Sequence, residues 1–249
     1  QNHAEYERLL SLQRRRGVSL VPRRLVPPSR AIEVADCATI LGNDFTADTF
    51  RYANKPLYHI PLSSSRMDPW PEGKDHNACR RSFMWFGGTG MVHKGLDLVL
   101  EAFAGLPDYR LTVCGPVDRE KDFQCAYRKE LYETPNIVTA EWLDVGSTRF
   151  AEIISRSIGV VYPSCSEGQS GSVVTCLHAG LIPIVSYESG VDVHEFGFVL
   201  RENSIQEIQR VVQQVSALPS ERLREMSRAA WTYARQIHTK ERFTDRYRE

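Results

Sequence analysis

The sequence predicts an α/β fold on a doubly wound, Rossmann-like parallel sheet, with a partial second α/β segment at the N-terminus. Three observations predict it. From residue 82 onwards, short apolar runs alternate with amphipathic helical periods, the pattern of consecutive βα units. Runs such as Ile158-Gly159-Val160-Val161-Tyr162 are apolar without alternation, as expected for strands buried on both faces of a parallel sheet. Glycine-rich segments follow two of those runs, at 87–95 and 166–172, where a strand must hand over to a helix.

In chain order, AEYERLLSLQRRR (4–16) reads as a helix that Gly17 ends. A Pro- and Arg-rich stretch, VSLVPRRLVPPSR, follows, and 29–36 offers a second short helix. ATILG (38–42) reads as a buried strand. Asn43 or Asp44 can N-cap a helix in NDFTADTFRYA, and PLYHIPLSS (56–64) reads as a strand. In SRMDPWPEGKDHNACR, Pro, Gly and charges interrupt every period, so it reads as a linker. The main series then begins. RSFMWFG is a strand, and GLDLVLEAFAGL is a helix with apolar positions at 96, 99, 100 and 103. YRLTVCG is a strand, DFQCAYRKELYE a helix, NIVTAEW a strand and TRFAEIISRS a helix. IGVVYPS is a strand, followed by the second glycine-rich loop with its short helix. IPIVS and FGFVL are the last strands, and helices run from about 204 to the end. The expected organisation is a partial N-terminal α/β domain at 1–66, a linker at 67–80, the main sheet domain at 81–236, and a terminal helix at 237–249.

Bulk properties narrow the function. With 249 residues and formal net charge zero, nothing global favours nucleic acid. Hydrophobic content of 42% and charged content of 25% are ordinary for a globular protein. No run approaches the roughly 18 apolar residues a membrane span needs. The chain starts at Gln1 without a signal-peptide pattern, and the expectation is a processed chain or fragment in the cytoplasm. Six cysteines, at 37, 79, 114, 125, 165 and 176, form no Cys-x-x-Cys, so buried reduced thiols are expected and no metal site. The first 30 residues hold seven Arg against two Glu. That is either a solvated helix and linker or a basic face for peripheral contact with an anionic membrane or a lipid-diphosphate acceptor.

In a doubly wound sheet, ligands bind at the carboxyl ends of the strands, which singles out the two glycine-rich loops. The segment Ser166-Glu167-Gly168-Gln169-Ser170-Gly171-Ser172 leads directly into a helix. Its glycines let backbone N–H groups approach a ligand, and the first helical turn has unpaired N–H groups and a partial positive charge. The bland alternative is an ordinary helix start with Ser170 or Ser172 as N-cap. The loop GGTGMVHKG is neither a Walker A loop nor a full GxGxxG, since Lys94 precedes Gly95 and His93 stands three residues after Gly90. It offers amides at Gly88, Thr89 and Gly90 and one cation, Lys94. A lysine at a helix start is mildly disfavoured by the helix dipole unless something anionic compensates it. Two such loops, one with Lys94 and one with Glu167, suit a sugar diphosphate: amides and lysine for the phosphates, carboxylate for sugar hydroxyls.

FMWFGGTGMVHKGLDLVLEAFAGLPDYRLTVCGP, PNIVTAEWLD and YPSCSEGQSGSVVTCLHAGLIPIVS, in this order and spacing, resemble the C-terminal, donor-binding half of GT-B fold glycosyltransferases of family 4. The resemblance covers about 80–200. Residues 28–64 are similar to the end of that family's acceptor-side domain, and HTKERFTDRYR resembles its segment crossing back to the first domain. The resemblance implies a retaining, metal-independent transfer from a nucleoside-diphosphate sugar to a glycan, lipid or small-molecule acceptor, with no cofactor. It implies that Lys94 and Glu167 are catalytic, Lys94 at the diphosphate and Glu167 at the donor sugar. Gly168, Gln169, Ser170, Gly171 and Ser172 offer amides, and the turn at Glu141 and Trp142 borders the base.

Two positions depart from the family. Thr89 stands where it has an arginine, which removes a bidentate phosphate clamp. Thr175 stands where it has the acid that binds the ribose, leaving a weaker neutral partner. His93 is expected to supply a compensating donor. Trp142 reads first as a core indole and second as one exposed beside a base. His178 reads as a packing histidine. Asp192, His194 and Glu195 read mainly as a loop away from the donor. The rival readings are a non-catalytic nucleotide-sugar-binding or scaffold domain, and a GT-B nucleotide-sugar epimerase, whose paired acids and histidines are not evident.

Overall fold

A computed structural model describes residues 2–24, 30–64 and 66–249. The elements are α1 (Asn2–Arg16), α2 (Ala31–Val34), β1 (Ala38–Ile40), α3 (Asp44–Asp48), β2 (Leu57–His59), β3 (Ser82–Phe86), α4 (Leu96–Ala104), β4 (Arg110–Cys114), α5 (Lys121–Ala126), α6 (Arg128–Tyr132), β5 (Ile137–Thr139), α7 (Thr148–Ser155), β6 (Gly159–Tyr162), α8 (Gly171–His178), β7 (Ile182–Ser186), β8 (Phe198–Leu200), α9 (Ile205–Ala217), α10 (Ser220–Ile237) and α11 (Lys240–Arg248).

The main sheet has six parallel strands in the order β5-β4-β3-β6-β7-β8. Counted from β3 as the first, this is the doubly wound order 3-2-1-4-5-6, whose switch point lies between the first and fourth strands. β3 and β6 are therefore the pair whose exits form the crevice. Near-continuous apolar runs do become central strands: Phe83, Met84, Trp85, Val160, Val161 and Tyr162 are all fully buried. The positions expected on the apolar stripe of α4, Leu96, Val99, Leu100 and Phe103, are likewise inaccessible.

The helical period in DFQCAYRKELYE does not yield one helix, because it breaks at Tyr127 into α5 and α6. PLYHIPLSS contributes only three residues to β2, which pairs in parallel with β1 as a two-stranded sheet. Asn43 is the N-cap of α3, accepting from the Phe45 N–H. The helix expected over 29–36 is observed as α2, with residue 29 outside the described residues.

The largest departure is at the N-terminus. Residues 2–24 do not join the two-stranded sheet, as a continuous 1–66 unit requires. α1 packs on the main domain, where Leu9 and Leu12 enter the same apolar cluster as β3 and α4. Three of its four arginines face acids. Arg15 meets Glu101 at 2.7 Å, Arg16 meets Glu130 at 2.9 Å and lies over the Tyr127 ring, and Arg8 stands 3.7 Å from Asp97. These are arginines on which the expectation of membrane contact rested. By covering α4, α1 also explains why Asp97, on the helix's nominally polar side, is wholly buried. Burial raises the Asp97 pKa, and Arg8 opposes that rise.

At the other end, α11 returns towards the small sheet. Arg242 and Arg246 line a cavity of about 450 Å³ with Gly42, His59 and Gln169. The junction is held by two buried histidines: His238 faces the Leu62 carbonyl through Nδ1 at 2.9 Å, and His178 Nε2 faces the His238 carbonyl at 3.0 Å. His178 is thus the packing residue expected.

Candidate functional site

The loops after β3 and β6 meet at the switch point and are stitched together. The Cys165 N–H donates to the His93 carbonyl at 2.7 Å, and the Ser164 hydroxyl donates to the same oxygen at 3.1 Å. Gly95 has φ +73°, and a Cβ there would stand 2.2 Å from the Pro163 carbonyl oxygen. Only glycine lets the two loops approach this closely.

From these loops, Lys94 and Glu167 project to one point. The Lys94 Nζ donates to Glu167 Oε1 and, at 3.0 Å, to the Tyr162 hydroxyl. The Tyr162 hydroxyl in turn donates to Glu167 Oε1 at 3.0 Å. Tyr162 stacks on Trp85, whose indole N–H donates to the Lys94 carbonyl at 3.1 Å. The lysine and glutamate side chains are 9% and 10% exposed, so neither is the solvated surface group its sequence context permitted. Burial alone would raise the Glu167 pKa, but Lys94, through charge and hydrogen bond, more than offsets it and holds the carboxyl below its ordinary value. Burial pulls the Lys94 amine down, with Glu167 opposing.

The backbone of the β6 loop divides into two sets. The Glu167 and Ser170 N–H groups donate to the carbonyls of Glu188 and Ser189, in the turn after β7. Ser170 is the N-cap of α8, its side chain accepting from the Val173 N–H. The N–H groups of Gly168, Gln169, Gly171 and Ser172 have no protein acceptor among the described residues. The Gln169 side chain accepts from the Leu62 N–H at 2.6 Å, which ties the loop to the segment after β2. Thr175 lies on α8 and returns its hydroxyl proton to the Gly171 carbonyl at 2.8 Å.

The β3 loop differs from the sequence expectation. The N–H groups of Gly90 and Met91 are already held by the buried carboxylate of Glu120, Met91 at 3.1 Å. Those two amides are not free for a phosphate, whereas Gly88 and Thr89 have no acceptor among the described residues. His93 is buried, with Nε2 against the Ser166 carbonyl and Nδ1 3.7 Å from Glu5. Nε2 thus joins loop to loop, while Nδ1 has no hydrogen-bond partner among the described residues. The missed acids were Glu120, which lies 30 positions from Gly90 behind an unremarkable turn, and Glu5, on α1.

The turn after β5 is at the same end of the sheet. Glu141, with φ +55°, offers its carbonyl to the Gly115 N–H at 2.8 Å. Trp142 is 60% exposed, which overturns its reading as a core indole. Asp192 accepts from the Asn43 side chain at 3.2 Å and braces the small sheet against the turn after β7.

Among the described residues no group of three or more His, Cys, Asp or Glu side chains is placed to hold a metal ion, and no helix is long and apolar enough to cross a membrane.

Comparison with solved structures shows the fold. TarM of S. aureus, crystallised with UDP, alpha-GlcNAc-glycerol and Fondaparinux, superposes with a TM-score of 0.69 at 12% identity, over 87% of this chain and 44% of that one. The sucrose-phosphate synthase of Thermosynechococcus elongatus gives 0.67 at 15% identity, over 85% and 56%. Alr3699/HepE of Anabaena, in complex with UDP and glucose, gives 0.63 at 14% identity, over 82% and 60%. The chain therefore spans about half the length of these proteins. No family model matches. Among curated proteins, the human RNA helicase Mov10l1 is 31% identical over 128 residues, 47% of this chain and 10% of that protein. The chain has the GT-B fold of these glycosyltransferases, with a six-stranded parallel sheet.

Proposed function

We propose that the chain binds a nucleoside-diphosphate sugar at the exits of β3 and β6 and takes part in transferring the sugar, with retention and without a metal, to a glycan, lipid or small-molecule acceptor. The observation that carries this reading is the convergence of Lys94 and Glu167, from two different loops, at the switch point of the sheet. UDP in the TarM and HepE structures supports the donor class. Lys94 swings from Glu167 to the diphosphate, where it neutralises the charge that develops as the sugar departs. The free N–H groups at the start of α8 add to this as a helix N-terminus does. Glu167, released from the amine, accepts hydrogen bonds from sugar hydroxyls. A cytoplasmic setting, with the acceptor approaching across the cleft by Gln169, belongs to the same reading.

One observation favours a second reading, a nucleotide-sugar-binding domain without turnover. The amine is satisfied by internal partners and Glu120 occupies part of the β3 loop, so a donor must displace protein groups to enter. A thermal-shift panel of UDP-, GDP- and ADP-sugars, followed by assay of released nucleoside diphosphate with and without acceptors, separates the two. Stabilisation by one donor that Lys94→Ala and Glu167→Ala both abolish supports the site. Acceptor-dependent release supports transfer, stabilisation with no release supports the binding domain, and no stabilisation by any donor defeats both.

A further inference from the structure

The charges around the β3 loop do not suit an anion unless a second cation joins Lys94. Three carboxylates, Glu5, Glu120 and Glu167, face this loop or its amine. Lys94 is already shared between Glu167 and Tyr162. A diphosphate entering against a neutralised lysine and further acids would meet net repulsion in a partly desolvated site.

Arg24 stands where that cation is needed. Its guanidinium is 3.9 Å from Glu167 Oε2, too long for a hydrogen bond, and its side chain is 44% exposed. No donor of that guanidinium has a hydrogen-bond acceptor among the described residues. The backbone that carries it is nonetheless fixed. The N–H groups of Arg23 and Arg24 donate to the two oxygens of Glu5 at 3.1 and 3.2 Å, and Glu5 is 1% exposed. The Arg24 stem crosses the loop at Gly90, where a Cβ would stand 2.9 Å from its Cγ. A buried acid thus anchors the peptide, a glycine makes room for the stem, and a charged head stands at the rim of the Lys94–Glu167 junction, ion-paired to Glu167 only at 3.9 Å and without a hydrogen bond.

We propose that Arg24 is a diphosphate-binding residue, supplied to the donor site by the segment after α1 and paired with Lys94 across the phosphates. A guanidinium holds two phosphate oxygens at once, which the point charge of a lysine does not. The proposal rests on the donor reading above and concerns the same site.

The test is calorimetric titration of the unaltered chain, Arg24→Ala and Arg24→Lys with UDP, GDP and ADP and with the matching monophosphates, alongside thermal unfolding of each variant. Arg24→Ala is expected to weaken the preferred diphosphate about tenfold and its monophosphate by no more than about twofold, with Arg24→Lys in between. Unfolding is expected to be unchanged, since the side chain is half exposed and its backbone is held by Glu5. If the unaltered chain binds none of the diphosphates, the donor reading and this proposal fall together. Equal diphosphate binding by Arg24→Ala, or an equal loss for mono- and diphosphate, removes Arg24 alone and leaves the donor reading standing.

Discussion

The loops after β3 and β6 look alike in sequence and differ in structure. Each leaves a central strand, is rich in glycine and runs into a helix. In the β3 loop the N–H groups of Gly90 and Met91 close on the Glu120 carboxylate. In the β6 loop the N–H groups of Gly168, Gln169, Gly171 and Ser172 have no protein acceptor among the described residues. Glycine permits backbone donors to face a ligand, but whether they are vacant depends on which acid the fold brings to them. Two N–H groups of the β3 loop are already closed on a carboxylate, while the β6 loop, at the start of an eight-residue helix, keeps four N–H groups open.

The two loops share several hydrogen bonds but one buried ion pair among the described residues, Lys94–Glu167, and substitutions there should have the largest effect. Lys94 and Glu167 are each about nine-tenths buried, and removing either leaves the other with the neutral Tyr162 hydroxyl and, for Glu167, only the distant Arg24 charge. Lys94→Ala and Glu167→Ala should each cost about 3–5 kcal/mol in urea denaturation, and Lys94→Met with Glu167→Leu should recover most of it. Single variants as stable as the parent would mean that the two loops are not coupled through this pair. The same pair has a pH signature. The folded-state carboxyl of Glu167 lies below its ordinary value, so the unfolded chain binds its proton first as pH falls. The stability this adds is complete above the ordinary carboxylate range and is lost as pH falls through the folded value. Glu167→Gln should flatten that acid limb, and an unaltered limb would assign it to other groups.

Glu120 governs the amides of the β3 loop. Its two hydrogen bonds to backbone N–H are charge-assisted, and Glu120→Ala should cost about 2–3 kcal/mol. Glu120→Gln keeps one acceptor oxygen, removes the resident charge, and should bind the preferred nucleoside diphosphate several-fold more tightly by titration. Unchanged or weaker binding would show that the acid does not compete with the ligand.

The order of strands and helices was legible because burial on both faces leaves runs such as IGVVY, and the stripe at 96, 99, 100 and 103 has one helical phase. The pairing of β3 with β6 follows from the winding rule, so the two loops, Lys94 and Glu167 could be singled out before any coordinates. The rest was hidden for a physical reason. α1 has the composition of a solvated basic helix, and the apolar residues that seat it, Leu9 and Leu12, do not say which surface they bury against. The acids that receive its arginines lie about 90 to 115 residues away. Long-range charge pairing leaves no period in a sequence. For the same reason the approach of Glu5, Glu120 and Arg24 to the β3 loop was invisible, as was the link His93 makes to the β6 loop.

The smallest effect separates the helix start from the site it serves. Ser170 is 3% exposed and its hydroxyl caps α8 at the Val173 N–H, whereas Gly95, the N-cap of α4, has no side chain to do so. Ser170→Ala removes one capping bond and should cost about 1 kcal/mol by denaturation. Because the Gly171 and Ser172 N–H groups behind it keep their direction, diphosphate binding should weaken by less than a Lys94 substitution weakens it. A loss of binding as large as that of Lys94→Ala, at a stability cost of only about 1 kcal/mol, would instead place the Ser170 hydroxyl on the ligand. In that case the β6 loop would recognise the donor through its side chains as well as through its open backbone.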